Sequence, residues 1–282
     1  MTHPLGAGHY WWDETWNPIF GCKPPSIGCL NCYAARAAGT LQTATEIPHY
    51  IGTTNLKRGR YVFNGKLKHL PPGHPGWNFP LRYKGAAKPR LGPEMPSLLW
   101  AGDMAELFLP NRPKWVVDRT INRLAMSNSN VIGLILTKLP HRMAAYFNAL
   151  PEITQQHCRE KLWLGFSAEN QEWFDLRWPP MRDLARAGWF IFVSIAPMIG
   201  GITLPDDFLA LARWVIVSGE QGARKHVRYM SPSRARAVRD QAVGAGIPFF
   251  LKRMSGERPI PWDLNMQQFP NPSKFSRPKS TI

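Results

Sequence analysis

The sequence predicts an α/β protein, a partial or complete TIM-like (β/α) barrel interrupted by an irregular basic insertion. Three observations predict it. From residue 97 onward, short apolar runs alternate with stretches of helical periodicity. The runs are apolar throughout rather than at every second residue, which suits strands covered on both faces. Each run also ends in polar residues, and the carboxyl ends of barrel strands are where active sites form. Repeated strand and helix units imply a parallel sheet, and right-handed crossovers can close such a sheet into a barrel.

In chain order, a short strand is expected near TWNPIF, followed by the strands SLLWAGDM (97 to 104), VIGLILTK (131 to 138), LWLGFSAE (162 to 169), WFIFVSIAP (189 to 197), RWVIVSGE (213 to 220) and IPFFLKRM (247 to 254). The count is about seven. Helices between them include KWVVDRTINRLAM, HRMAAYFNAL, DDFLALARW and PSRARAVRDQAVGAG. In the last of these, Ser231 or Ser233 suits the start and Gly244 or Gly246 the end. Residues 40 to 96 read as an irregular insertion rich in Pro and Gly, in which basic and aromatic residues alternate. Lys57, Arg58, Arg60, Lys66 and Lys68 could track phosphates there while Tyr61, Phe63, Trp77 or Tyr83 stack on bases; the other reading is a wrapped loop whose aromatics pack on the barrel. One barrel domain is expected over residues 1–270, with a disordered basic tail over 271–282.

The 282 residues, 44 % of them hydrophobic, can bury a full core. No apolar run reaches the length of a membrane span and the N-terminus lacks a signal peptide's apolar core, so a soluble cytoplasmic protein is expected. A formal net charge of +16 points to a polyanionic partner, with nucleic acid the natural candidate.

Three of the four cysteines, Cys22, Cys29 and Cys32, fall within eleven residues. Pro24, Pro25 and Gly28 stiffen the longer gap into a loop that can wrap a metal group. Thiolates suit zinc and iron–sulfur clusters equally. A closed zinc site normally takes four protein ligands, so His9 or the distant His157 and Cys158 would have to complete one. Without an obvious fourth ligand, a 4Fe-4S cluster with one open iron is favoured, and buried thiols or a single disulfide are the bland alternative.

The ordered set TWNPIFGC…GCLNCYAAR, AGDMAELF, LILTKLPHRM, LWLGFSAENQ, FVSIAPMIGGI, RWVIVSGEQG and IPFFLKRMSG resembles the phage Gp37/Gp68-type three-Cys-motif family of radical-SAM-like proteins. The resemblance implies a barrel of the radical SAM type in which Cys22, Cys29 and Cys32 hold a 4Fe-4S cluster whose fourth iron binds S-adenosyl-L-methionine. It further implies reductive cleavage to a 5′-deoxyadenosyl radical, an electron donor such as a flavodoxin or ferredoxin, and, for a phage-encoded chain, the host cytoplasm. The x6 gap is longer than the usual x3. Where relatives read Ser-Val-Glu-Pro, this chain has Ser194, Ile195, Ala196 and Pro197.

On that frame Asp103 and Glu106 are expected to accept from the methionine amino group, with Ser167, Glu169 and Ser194 also holding the cofactor. Lys138, Glu220 and Lys252 are the expected catalytic set at the substrate, with Arg253 a further cation able to neutralise a carboxylate or phosphate. Ion pairs across the strand ends are the structural alternative for each carboxylate. The expected reaction is modification, by isomerisation, of a hypermodified thymine in phage DNA, a step that needs the base flipped out of a duplex. Repair of a damaged base is a close variant. Two other classes stand beside it: a DNA-binding protein with a structural zinc or Fe–S site and no catalysis, and a metal-dependent nuclease or phosphotransferase, ranked last for want of a close carboxylate pair.

Overall fold

A computed structural model of the protein describes residues 10–43 and 47–272. The chain begins with strands β1 (Glu14–Trp16) and β2 (Ile19–Phe20), the cysteine loop and helix α1 (Tyr33–Leu41). The insertion follows, with β3 (Thr54–Lys57), β4 (Arg60–Phe63), β5 (Lys68–His69) and the short helix α2 (Phe79–Arg82). Then come β6 (Ser97–Ala101), α3 (Lys114–Ala125), β7 (Val131–Thr137), α4 (Pro140–Asn148), α5 (Glu152–Lys161), β8 (Leu162–Ser167) and α6 (Gln171–Arg186). The last part holds β9 (Phe190–Ile195), α7 (Asp206–Leu211), β10 (Trp214–Ser218), α8 (Pro232–Gly244) and β11 (Phe249–Arg253).

Seven of these strands form one parallel sheet in the order β1-β6-β7-β8-β9-β10-β11, curled into a half-barrel. All six apolar runs named from the sequence are strands of it, and the seventh is Glu14–Trp16. Only the first half of TWNPIF contributes, because Ile19 and Phe20 pair antiparallel with Lys68 and His69 in a separate ribbon. Strands stop short of the expected ends, so Asp103, Glu169 and Glu220 lie in the loops just beyond them.

Period-2 alternation divides the strand side chains between two cores. Leu99, Ile135, Leu164, Val193, Val217 and Leu251 face the helices. Trp100, Leu134, Trp163, Phe192, Trp214 and Phe250 face the concave side. Tyr10, Trp11 and Trp12 fill that concavity, with Trp11 ring centroids 4.8 Å from Trp100 and 5.8 Å from Trp214. Wide indole rings let an open half-barrel exclude water where a closed barrel would use branched aliphatics.

The insertion is more ordered than expected. Strands β3 and β4 make a hairpin turning at Arg58 and Gly59, both at positive φ (48° and 72°), as two-residue hairpins require. Trp77 and Phe63 are buried in the main core rather than free to stack on bases; Tyr61 packs against Gly39 of α1, and Tyr83 stacks on Phe79. Two helices lie between those named from the sequence, α5 and the sixteen-residue α6, which continues through Pro179 and Pro180. Ser231 takes the N-cap position of α8 with its hydroxyl on Ser233, and Gly246 (φ 73°) follows the helix end. His9 and all of the tail but its first two residues lie outside the described residues. No helix among the described residues is long and apolar enough to cross a membrane.

Candidate active site at the carboxyl ends of the strands

The carboxyl ends of the strands, the cysteine loop and the start of α1 enclose a cavity of about 200 Å³. Cys22, Cys29 and Cys32 all line it, and with them Asp103, Glu106, Lys138, Ser167, Ser194, Glu220, Lys252 and Arg253. Of the expected site residues only Glu169 does not reach the wall. The parallel sheet causes this convergence: each strand arrives pointing the same way, so polar residues placed after strands far apart in sequence meet at one end.

Glu169 is fully buried beneath the cysteine loop. Its carboxylate pairs with Lys138 and, at 2.9 Å, with Arg177 of α6, and it accepts a 2.7 Å hydrogen bond from Ser26 Oγ of the loop. Burial alone would raise this acid, but Lys138, Arg177 and Ser26 outweigh it and hold the carboxyl below its ordinary value. Gly28 sits so close that a Cβ there would fall 2.3 Å from Glu169 Oε1. Only glycine lets the loop lie on the carboxylate.

Glu220 secures the loop from the other side. It accepts from Asn31 Nδ2 at 2.8 Å and from the Arg228 backbone N–H at 2.7 Å, and it pairs with the Arg228 guanidinium, which donates in turn to the carbonyl of Ile27 at 3.0 Å. Here too burial pulls upward, while Arg228 and Asn31 hold the acid below its usual range. The structure thus gives Glu169 and Glu220 a positioning role: each accepts from one residue of the cysteine loop while paired with cations from outside it.

Glu106 accepts from Thr137 Oγ1 (2.7 Å), the Lys138 amide (2.8 Å) and the Phe108 amide (3.1 Å), which ties the ends of β6 and β7 together. Buried Arg112 donates to the carbonyls of Gly21, Lys68 and Glu106 and so fixes the chain entering Cys22. Asp103 accepts from Asn17 Nδ2 at 2.6 Å, and its carbonyl accepts from Tyr33 Oη at 2.7 Å. Ser167 and Ser194 line the cavity beside Ala196 and Pro197, an apolar stretch of wall at the position where the sequence departs from the Ser-Val-Glu-Pro pattern.

The thiols are all free. Burial pushes the Cys22 thiol up, and Glu106, Cys32 and Cys29 add to the rise. Cys32 is raised by burial and by Cys29, partly offset by the backbone N–H groups of Ala35 and Ala34, since it occupies the N-cap position of α1. Three thiolates gathered here need positive charge among them. No group of three or more His, Cys, Asp or Glu among the described residues is gathered tightly enough for a single metal ion. Three cysteine thiols on one cavity wall are donors of the type that holds zinc or an iron–sulfur cluster. Cys158, by contrast, is buried in the core from α5, and His157 meets the Ala125 carbonyl at 3.1 Å; neither lines the cavity.

Lys252 meets aromatic rings in the site. Its ammonium lies 4.6 Å from the ring centroid of Trp12, 5.7 Å from Tyr10 and 5.8 Å from Tyr33, and it makes no ion pair among the described residues. Burial and then the neighbouring Arg253 push it down to about 7, against the opposing pull of Asp103. A lysine that titrates near neutrality in a cavity can donate or accept a proton. Trp100 Nε1 and Arg253 Nε, on two residues of the same wall, are buried without a hydrogen-bond partner.

Residues 8–266 match the family DUF5131, described as a protein of unknown function, and the chain belongs to that family. No curated protein matches the chain, and no solved structure does.

Proposed function

We propose that this protein is a radical SAM enzyme that isomerises a hypermodified thymine base in phage DNA. The observation that carries the first part is the loop of three cysteines opening into the strand-end cavity of a parallel half-barrel. The donor set fits a 4Fe-4S cluster held by Cys22, Cys29 and Cys32, with S-adenosyl-L-methionine at its open iron. When bound and reduced by one electron from a donor such as a flavodoxin or ferredoxin, that pair would release methionine and supply a 5′-deoxyadenosyl radical able to take a hydrogen atom from substrate.

The chain's own residues supply the rest. Glu169 and Glu220 fix the loop, and Lys138 is held in place by Glu169. Asp103, Ser167 and Ser194 offer acceptors and donors along the wall for the amino, carboxylate and ribose groups of S-adenosyl-L-methionine. Lys252 supplies or removes a proton at the substrate, and the apolar face of Trp11 and Trp100 excludes water from the cavity floor. The DNA part rests on the net charge of +16 and on the basic surface described below.

Anaerobic reconstitution with iron and sulfide, reduction, and assay for 5′-deoxyadenosine test the reading. Product that disappears in the Cys22→Ala/Cys29→Ala/Cys32→Ala variant supports it. A colourless protein that carries zinc and cleaves nothing would turn the reading toward a DNA-binding module with a structural metal.

A further inference from the structure

The cavity has one strongly basic lip, assembled from parts of the chain that are distant in sequence. One arm is the β3–β4 hairpin, with Lys57, Arg58 and Arg60 exposed at its tip. The other is the turn after β10, where Arg224, Lys225 and His226 are exposed. Arg60 joins the arms over the cysteine loop: one guanidinium nitrogen donates to Asn31 Oδ1 at 2.8 Å, and the other lies 3.4 Å from His226 Nδ1. Asn31 in turn donates to Glu220 at the strand end. From α1, Arg36 reaches the Gln221 carbonyl at 3.4 Å and closes the gap between loop and turn.

No acidic residue occurs in residues 54–63 or 221–229. Glu220, just before the turn, is neutralised by Arg228. The turn continues to Tyr229, 58 % exposed, with the Arg258 guanidinium 5.2 Å from its ring centroid. Phe63, at the base of the hairpin, lines the cavity, so the lip runs directly into the mouth. Cations spread over two arms with an exposed aromatic at one end match a phosphodiester backbone with its bases, whereas one mononucleotide would meet only one arm.

We infer that this lip binds the backbone of a DNA strand, so that the substrate is a polymer and one of its nucleotides enters the cavity from the hairpin side. The inference rests on the proposed reaction only for what happens inside the cavity; strand binding needs neither cluster nor S-adenosyl-L-methionine.

The test is fluorescence anisotropy of a labelled twenty-nucleotide single strand against the full-length protein over a range of KCl concentrations, with no S-adenosyl-L-methionine present. Wild type is compared with K57E/K225E on the lip and with K84E/K88E. Lys84 and Lys88 are exposed at the other end of the sheet, where Ala86 N–H donates to Ser97 Oγ at the start of β6, and both pairs change the net charge equally. Circular dichroism melting checks that both variants fold. The lip pair should weaken binding at least tenfold and lower the slope of log affinity against log salt by about 1.4, some 0.7 for each lost contact to a single strand. The control pair should change affinity less than threefold. Equal losses in the two variants, or no binding by wild type at low salt, would overturn the inference. Cleavage of S-adenosyl-L-methionine without strand binding would leave the radical reading standing on a small substrate. Strand binding without cleavage would do the reverse.

Discussion

The two sides of the cavity treat charge in opposite ways. On one side, Glu106, Glu169 and Glu220 each accept several hydrogen bonds or ion pairs from the protein, so most of their acceptor capacity is committed. On the other, Lys252 stands among Tyr10, Trp12 and Tyr33 with Trp100 Nε1 unpartnered nearby in the wall. A saturated carboxylate is structural, because its charge has been used to fix something else. A cation surrounded by rings pays for its burial with a shifted pKa and stays available. Glu169 and Glu220 therefore hold the cysteine loop, and in the proposed reaction the proton-transfer role falls to the lysine.

The largest break in this comparison is expected from Glu169→Gln. Removing the charge strands Arg177, which is 2 % exposed, and loosens Lys138 and Ser26; breaking a buried pair in this way costs about 3–5 kcal/mol. Denaturant unfolding would measure it. Since the folded carboxyl titrates below its ordinary value of 4.5, its contribution is fully present above that pH and is lost as pH falls through the folded value. Wild-type stability should therefore fall on acidification below about pH 4.5 more steeply than that of the Gln variant. A Gln variant as stable as wild type at pH 7 would mean that the loop is not held from this side.

Glu220→Gln should cost less, about 1–3 kcal/mol, because its partner Arg228 is 29 % exposed and water can replace part of the interaction. Its sharper signature is on the loop: iron retained per protein after reconstitution should fall in both glutamate variants while Cys158→Ala retains the wild-type amount. If Cys158→Ala lost iron equally, the assignment of ligands to the cavity wall would fail.

Lys252→Met is expected to act in the opposite direction. Folding lowers this lysine from 10.5 to about 7, so between those values the unfolded chain holds a proton that the folded one lacks, and stability rises with pH. Below pH 7 the methionine variant should be more stable by on the order of 1 kcal/mol, a fraction of the full shift because the side chain is only half-buried and gives up its cation–π contacts. The advantage should fade toward pH 10.5. Thermal melts at pH 6 and pH 10 would show it, and a variant less stable than wild type at both would place an unseen partner on the ammonium.

Much of this architecture was legible in the residues. Short apolar runs between amphipathic stretches suited buried parallel strands, and their polar endings marked the face of the cavity. Pairing geometry was not legible. Nothing near Glu169 in sequence announces that Ser26, 143 residues away, will donate to it, or that Arg228 will bridge Glu220 to Ile27. The side-chain periodicity of α6 was broken by Pro179 and Pro180, although Asn170, whose Oδ1 accepts the Trp173 amide at 3.1 Å, was a usable start signal. In the insertion, alternating basic and aromatic residues suited two readings, and burial divided them: Trp77 and Phe63 went to the core, Lys57 and Arg58 to the surface.

The six residues between Cys22 and Cys29 have one more consequence. They are enough to carry Ser26 down to one strand end, while Ile27 and Asn31 are secured to another, so the loop is moored on two sides by protein alone. For the proposed cluster, that leaves little chain entropy to be surrendered on binding. Loading should then resemble docking into a finished berth, with melting equally cooperative before and after.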